Sequence, residues 1–387
     1  MQKSHWNILI GTLALTSAGL AGSSAFSAET ARSEGYQWNL PKGFPRPYVP
    51  ADNPMTEAKV ELGRHLFYDT RMSVNGTQAC ASCHKQELAF TDGKTVGLGA
   101  TGESHSRSPM SLVNVAWSGA LTWSNPEMKT LEKQALVPMF GVHPVELGLR
   151  DDGAFLRVVQ SDPTYQTLFE RAFPAAADRY TIANITKALA SFERSIISAR
   201  SPYDRYHYGG DDSAISDSAK RCETLFFNQH LSCFRCHGGF NFTDSTVSER
   251  NPDRPIEFHN TGLYDVPGSI SYPAPNVGIF EFTRLPEDVG KFKAPTLRNI
   301  AVTAPYMHDG SITTLDGVLD HYSAGGRTIA AGPNAGVGHN NPNKDALVGG
   351  FTLSNRDRAD LIAFLESLTD EAVLHDPLFA DPWPRVH

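Results

Sequence analysis

The sequence predicts a mainly α-helical chain organised as two similar halves joined by long loops, and three observations point that way. Cys80-Ala81-Ser82-Cys83-His84 recurs as Cys233-Phe234-Arg235-Cys236-His237. Apolar residues at helical spacing lead into each run and return after it. Between them lie stretches rich in Pro, Gly and Asn that carry no period. In a Cys-x-x-Cys-His run two thiols add across the vinyl groups of a haem and the adjacent histidine binds its iron. Each half is therefore a c-type haem domain, attached through Cys80 and Cys83 with His84 as ligand, and through Cys233 and Cys236 with His237. A zinc ribbon needs its Cys-x-x-Cys units about 15–20 residues apart, whereas these stand in opposite halves, each followed by histidine.

Composition sets further bounds. A chain of 387 residues accommodates two domains. A net charge of −8 with no basic run argues against nucleic acid as a partner. Lys3, the apolar run from Trp6 to about Leu20 and the small residues ending at Ser27-Ala28 follow the order of a secretory signal peptide, expected over 1–27. No later segment is apolar for long enough to span a membrane. Export agrees with haem attachment, which takes place outside the cytoplasmic membrane, so a periplasmic location is expected. Haem uses four of the 5 cysteines, and Cys222 is left as a small hydrophobe inside a helix.

Taken in order, residues 28–53 read as an arm, with Trp38-Asn39-Leu40-Pro41 and Phe44-Pro45 too rich in Pro and aromatics for regular structure. The first haem domain is expected over 54–205. Its first helix runs from about Thr56 to Tyr68, burying Val60, Leu66 and Phe67. A long loop over 96–107 follows the first motif, and a short helix from Leu131 closes at Pro138. Ile182, Ile185, Leu189, Phe192 and Ile196 form one helical stripe. Pro202 to Ser213 breaks the pattern and marks the boundary with a second haem domain over 206–387. There, helix returns near Ala219–Phe227, ordered loops fill 244–290, and a last helix capped by Ser354 buries Leu361, Phe364, Leu365 and Leu368. The halves repeat in architecture, with almost no repeated sequence outside the haem motif.

With these elements placed, the chain resembles the bacterial di-haem cytochrome c peroxidase and MauG family over about residues 54–370. The marks are the two haem motifs, the series Trp123, Gln134, Pro138 and Glu146, then Phe258-His259-Asn260-Thr261-Gly262-Leu263, Pro295-Thr296-Leu297-Arg298-Asn299 and Pro305-Tyr306-Met307-His308-Asp309-Gly310. The Trp38 arm, the insertion Met139-Phe140-Gly141-Val142-His143-Pro144 and His321-Tyr322-Ser323-Ala324-Gly325-Gly326 are most similar to its MbnH branch. The resemblance implies a mainly α fold of two cytochrome c-like haem domains with long connecting loops.

It also implies roles. Members that need reductive activation carry a distal histidine where this chain has Ala100, so the first haem is expected to be five-coordinate and open to hydrogen peroxide; His105, nearby, is the alternative ligand. Glu146, reached from Gln134 and Pro138 across the insertion, is the expected acid/base, with His143 a second candidate. Trp123 is the expected relay between haems, although Ser124-Asn125-Pro126 departs from the family pattern. The sixth ligand of the second haem is expected to be Tyr322, where other members have methionine; Met307 and His321 are the alternatives. His308 is placed as a hydrogen-bonding neighbour of that haem and Arg298 as a propionate partner. A calcium ion is implied at the Asn114 side chain and the Thr303 and Pro305 carbonyls, oxygen donors that suit it.

The implied function is a periplasmic enzyme that uses hydrogen peroxide to reach a high-valent, bis-Fe(IV)-like state and oxidises a partner protein. Tryptophan modification of kynurenine type on a copper-handling partner is the specific form. One alternative is a peroxidase that removes hydrogen peroxide with electrons from a small donor protein. The other is a non-catalytic electron carrier or haem sensor.

Overall fold

Thr56 starts the first helix, Glu57–Tyr68, because its hydroxyl accepts the Lys59 N–H and so satisfies an amide that a helix start leaves unpaired. This computed structural model describes residues 36–150, 153–268 and 270–384; the signal peptide over 1–27 and the first residues of the arm lie outside the described residues. Leu66 and Phe67 are fully buried as expected, and so is Leu62. Val60 is only half-buried; Lys59 takes the inner place instead, its ammonium held by Asn53 Oδ1 at 3.0 Å and the Pro54 carbonyl at 2.8 Å. The helix packs along Ile182–Ser195, which begins at Thr181 and buries Ile185, Leu189 and Phe192. Where they cross, a Cβ on Gly63 would stand 2.0 Å from the Ala188 carbonyl oxygen. Only glycine permits that approach.

Two helices not anticipated complete this layer, Ala154–Ser161 and Pro163–Ala172. The second had a signal: Asp162 caps it and Pro163 occupies its first turn, where the missing N–H costs nothing. Pro138 does not close the helix at Leu131. That helix ends at Gln134, and Pro138 sits in the first turn of a second one, Leu136–Phe140, for the same reason. The arm is anchored by Phe44, buried edge-on against Trp117, whose indole N–H donates to the Pro45 carbonyl at 3.0 Å.

Residues 202–213 are not simply a break. Ser201 and Asp204 form a reciprocal cap for helix Pro202–His207. Beyond it, Asp217–Phe226 packs on Asn355–Glu366, and Cys222 is fully buried with Phe226, Leu361, Phe364, Leu365 and Leu368. Helix Leu315–Ser323 lies in this half. The described residues of 244–290 are loops with isolated bridges, one α-helical turn, Phe280–Thr283, and one 3-10 turn, Pro286–Asp288. Asn355–Glu366 is not the last helix: Glu371–His375 follows, and Val373, Leu374 and Phe379 join the core of the first half. Among the described residues no helix is long and apolar enough to cross a membrane.

Gly63→Ala is expected to cost about 1–3 kcal/mol through overpacking against Ala188, read as a lower urea midpoint at unchanged slope.

Candidate active site: two haem motifs and the cavity between them

Both motif histidines are held in the same way. Cys80–Cys83 forms one helical turn and Cys233–Arg235 a 3-10 turn. His84 Nδ1 lies 2.8 Å from the Phe90 carbonyl and His237 Nδ1 3.2 Å from that of Phe242. Each accepting phenylalanine has a left-handed backbone, φ 62° and 49°, a conformation that is costly for a bulky residue. Burial pushes both imidazoles below the ordinary histidine range, so they stay neutral. With Nδ1–H donating to a carbonyl, Nε2 keeps its lone pair, the tautomer a metal requires.

A second repeat surrounds the first. Ser111-Leu112-Val113-Asn114-Val115-Ala116 corresponds to Thr296-Leu297-Arg298-Asn299-Ile300-Ala301, so sequence is repeated outside the haem motif after all. Asn114 and Asn299 are both left-handed, and each opens a 3-10 turn. Both reach Ser198, which is fully buried. Asn114 exchanges hydrogen bonds with its backbone at 2.7 and 2.9 Å, and Asn299 Nδ2 donates to its hydroxyl at 2.8 Å.

A cavity of about 680 Å³ opens on Cys80, Cys83 and His84, within the roughly 300–1,000 Å³ typical of cofactor sites. Gln134, Pro138 and Glu146 line it, as do Trp123, Arg298, Asn114, Thr303 and Pro305. Glu146 Oε1 lies 2.9 Å from His105 Nε2, an ion-pair contact without the angle of a hydrogen bond. Ala100 packs beside them, its N–H on the Glu146 carbonyl at 2.7 Å. His143 is 86% exposed and 3.6 Å from Glu103. Trp123 donates its indole N–H to the Ser108 carbonyl at 2.8 Å, and the Ser108 N–H donates to the His308 carbonyl at 2.9 Å. The relay candidate is thus wired to the second half.

Around the second motif, His308 is buried and stacked on Phe292 with ring centres 3.7 Å apart; burial pushes it down to about 4, and its Nε2 has no protein partner. An orphaned donor or acceptor of this kind fits a cofactor with polar edges. Burial raises the Tyr322 phenol, and the nearby Cys236 and Cys233 sulfurs raise it further. His321 is buried, its ring nitrogens also unpartnered. Met307 lines the cavity. Arg298 is buried and clamps Asp204 at 2.8 and 2.9 Å while donating to the Phe240 carbonyl. One of its five N–H groups remains for anything else. Asn114 Oδ1 already accepts one N–H, from Ser198, so one lone pair is left for a cation.

Three charged residues here have no role assigned from the sequence, His259 having figured only as part of a family mark. Lys293 is buried on the cavity wall, its ammonium on the Ala120 carbonyl at 2.6 Å, and burial pushes it down to about 7. Glu193 lines the same cavity and burial pushes it up to about 8. His259 is gripped by Asp345 at 2.6 Å and Asp244 at 2.7 Å; burial opposes its charge, but these bonds prevail and push it up to about 12. A charge inside an apolar run, as in Phe292-Lys293-Ala294-Pro295, was the available signal.

Two Cys-x-x-Cys-His motifs with metal-ready histidines stand on a mainly helical frame, the first of them opening on the cavity, which is the pattern of a di-haem protein. Residues 57–213 match the family model described as di-haem cytochrome c peroxidase. The chain is 33% identical over 374 residues to the methylamine utilization protein MauG of Methylophilus methylotrophus, covering 95% of this chain and 96% of that one. It is also 33% identical over 367 residues to cytochrome-c peroxidase IdrP1 of Pseudomonas sp. strain SCT, covering 91% of each. A crystal structure of a MauG-like protein associated with microbial copper homeostasis superposes with a TM-score of 0.87 at 46% identity, over 90% of this chain and 100% of that one. The chain belongs to the di-haem cytochrome c peroxidase and MauG family, and is a haem-dependent oxidoreductase.

His259→Gln is expected to destabilise the fold by about 3–5 kcal/mol, because Asp244 and Asp345 lose the cation between them. The ring's folded pKa lies above its unfolded value, so its contribution is complete below pH about 6.5 and declines as pH rises towards the folded value. Chemical denaturation of both proteins between pH 6 and 9 should show the difference narrowing with pH.

Proposed function

We propose that this chain is an exported, periplasmic di-haem enzyme that takes two oxidising equivalents from hydrogen peroxide and delivers them to a partner protein, modifying a tryptophan. His84 and His237 would hold the two irons and Tyr322 would complete the second. The haems supply the redox chemistry. Glu146, beside His105 at the cavity wall, moves the proton that cleavage of the peroxide O–O bond requires. Ala100 offers no side chain that could close the first iron. Trp123, tied through Ser108 to the His308 backbone, links the two sites. Asn114, Thr303 and Pro305 would hold a calcium ion between the halves.

The observation that carries this reading is the phenol of Tyr322, half-buried on helix Leu315–Ser323 and near enough to Cys236 and Cys233 for their sulfurs to raise it. A hard, anionic oxygen donor stabilises oxidised iron, whereas a thioether favours the reduced form. Such a site retains oxidising power instead of relaying single electrons from a donor cytochrome. The likeness to MauG and to the MauG-like protein associated with copper homeostasis supports a protein substrate, here a copper-handling one. Removal of peroxide with electrons from a small donor protein is the second reading, favoured by the equal likeness to IdrP1.

Visible and electron paramagnetic resonance spectra of the ferric protein, before and after one equivalent of peroxide without donor, distinguish the two. One high-spin and one low-spin haem that react at once support partner oxidation. Two low-spin haems that ignore peroxide until an electron is added would sink it. Glu146→Gln is expected to slow the peroxide step by roughly 100-fold, measured by stopped-flow absorbance.

A further inference from the structure

Tyr203 stands in the first turn of helix Pro202–His207, only 3% exposed. Its ring meets Phe242 edge-on, centres 5.4 Å apart, and Phe242 is the residue whose carbonyl positions His237. On its other side the ring stacks on His207 at 5.2 Å and 15°. Tyr206, half-exposed, lies 6.5 Å away. The Tyr203 O–H donates to Glu223 Oε1 at 3.0 Å, and His207 Nδ1 is 3.2 Å from both oxygens.

Packing alone does not account for this arrangement. A phenylalanine would fill the same place against Phe242 and Phe364 without bringing a carboxylate to the core's edge, where desolvation counts against it. A phenol loses an electron readily only when its proton can leave in the same event, because the phenol radical cation is a very strong acid. A base within about 2.6–3.2 Å of the hydroxyl is therefore a condition that a redox tyrosine must meet; Tyr165 on Asp69 and Tyr264 on Asp309 meet it too, but Tyr203 adds the ring contact to Phe242. Glu223 meets that condition, and the ring contacts run from the second haem motif to the surface.

We infer that Tyr203 is a one-electron relay through which the second haem site draws electrons from an electron-rich aromatic side chain of a protein bound over Tyr206, with Glu223 as proton acceptor. The inference rests on the reading of the chain as a peroxide-driven oxidase. In each passage one electron leaves the Tyr203 ring towards the His237 side, and its proton crosses to Glu223 Oε1. The resulting neutral phenoxyl takes one electron from the partner by way of Tyr206, and Glu223 returns the proton. One hydrogen peroxide accepts two electrons through the relay, and the two protons that the twice-oxidised partner side chain releases, to give two waters, so the relay acts twice per peroxide.

The test uses the holoprotein labelled with ring-deuterated tyrosine and oxidised by flash-quench with a ruthenium polypyridyl complex, which needs no peroxide. A tyrosyl radical that narrows on deuteration is expected in the paramagnetic resonance spectrum. It should fall at least about tenfold in Tyr203→Phe and in Glu223→Gln, a conservative share of what a positioned proton acceptor contributes. Unchanged Soret spectra would show both variants folded and ligated. A radical that survives both substitutions, or none in the parent protein, overturns the relay. If the radical depends on Tyr203 but hydrogen peroxide leaves the haems untouched, the relay stands and the peroxide reading fails; if peroxide oxidises the haems and the radical ignores Tyr203, the reverse holds.

Discussion

A backbone carbonyl directed at Nδ1 of a histidine is the interaction on which both haem sites depend. It fixes the ring's rotation and tautomer together, so that Nε2 points the same way in every molecule. Phe90 and Phe242 present those carbonyls only because their backbones are left-handed. The strain is borne by the surroundings: both phenylalanines are almost completely buried, Phe90 against Phe67 and Phe242 against Tyr203 and Phe364. The two cores therefore hold the orientation of both motif histidines as well as the fold.

The same economy joins the halves. Asn114 and Asn299 are equivalent in a repeat, yet both converge on one serine, using its backbone on one side and its hydroxyl on the other. Asp370 continues the network, receiving the Ala199 and Arg200 N–H groups at 2.9 Å while its own N–H goes to Asn299. All four side chains are buried and paired, which makes the junction selective for a single arrangement of the two halves.

What the sequence disclosed followed from what has a strict local rule. The Cys-x-x-Cys-His runs, the helix start near Thr56, the Ser354 cap and the stripe through Ile185, Leu189 and Phe192 were legible, because spacing and capping are properties of neighbouring residues. Helix Pro202–His207 was missed although Ser201 and Asp204 spell its cap, because glycines just beyond it dominated the reading. The Asn114/Asn299 repeat is too short to stand out until both segments are seen against their histidines. Lys293 shows as a charge in an apolar run, but the perturbation of Glu193 and His259 comes from burial and from carboxylates distant in sequence. Lys59 takes the inner place of Val60 because Asn53 and Pro54, a few residues back, receive its ammonium.

Val373, Leu374 and Phe379 stand far along the chain from Glu57–Tyr68 and Ile182–Ser195, yet they belong to the core that those helices build. Trp383 closes the same corner, its indole N–H on the His65 carbonyl at 3.0 Å. The first core is thus incomplete until that distant segment docks. Cys80 and Ala81 pack on the same core, so the wall behind the first Cys-x-x-Cys-His run waits on a contact of high sequence separation, the slowest kind for a chain to form.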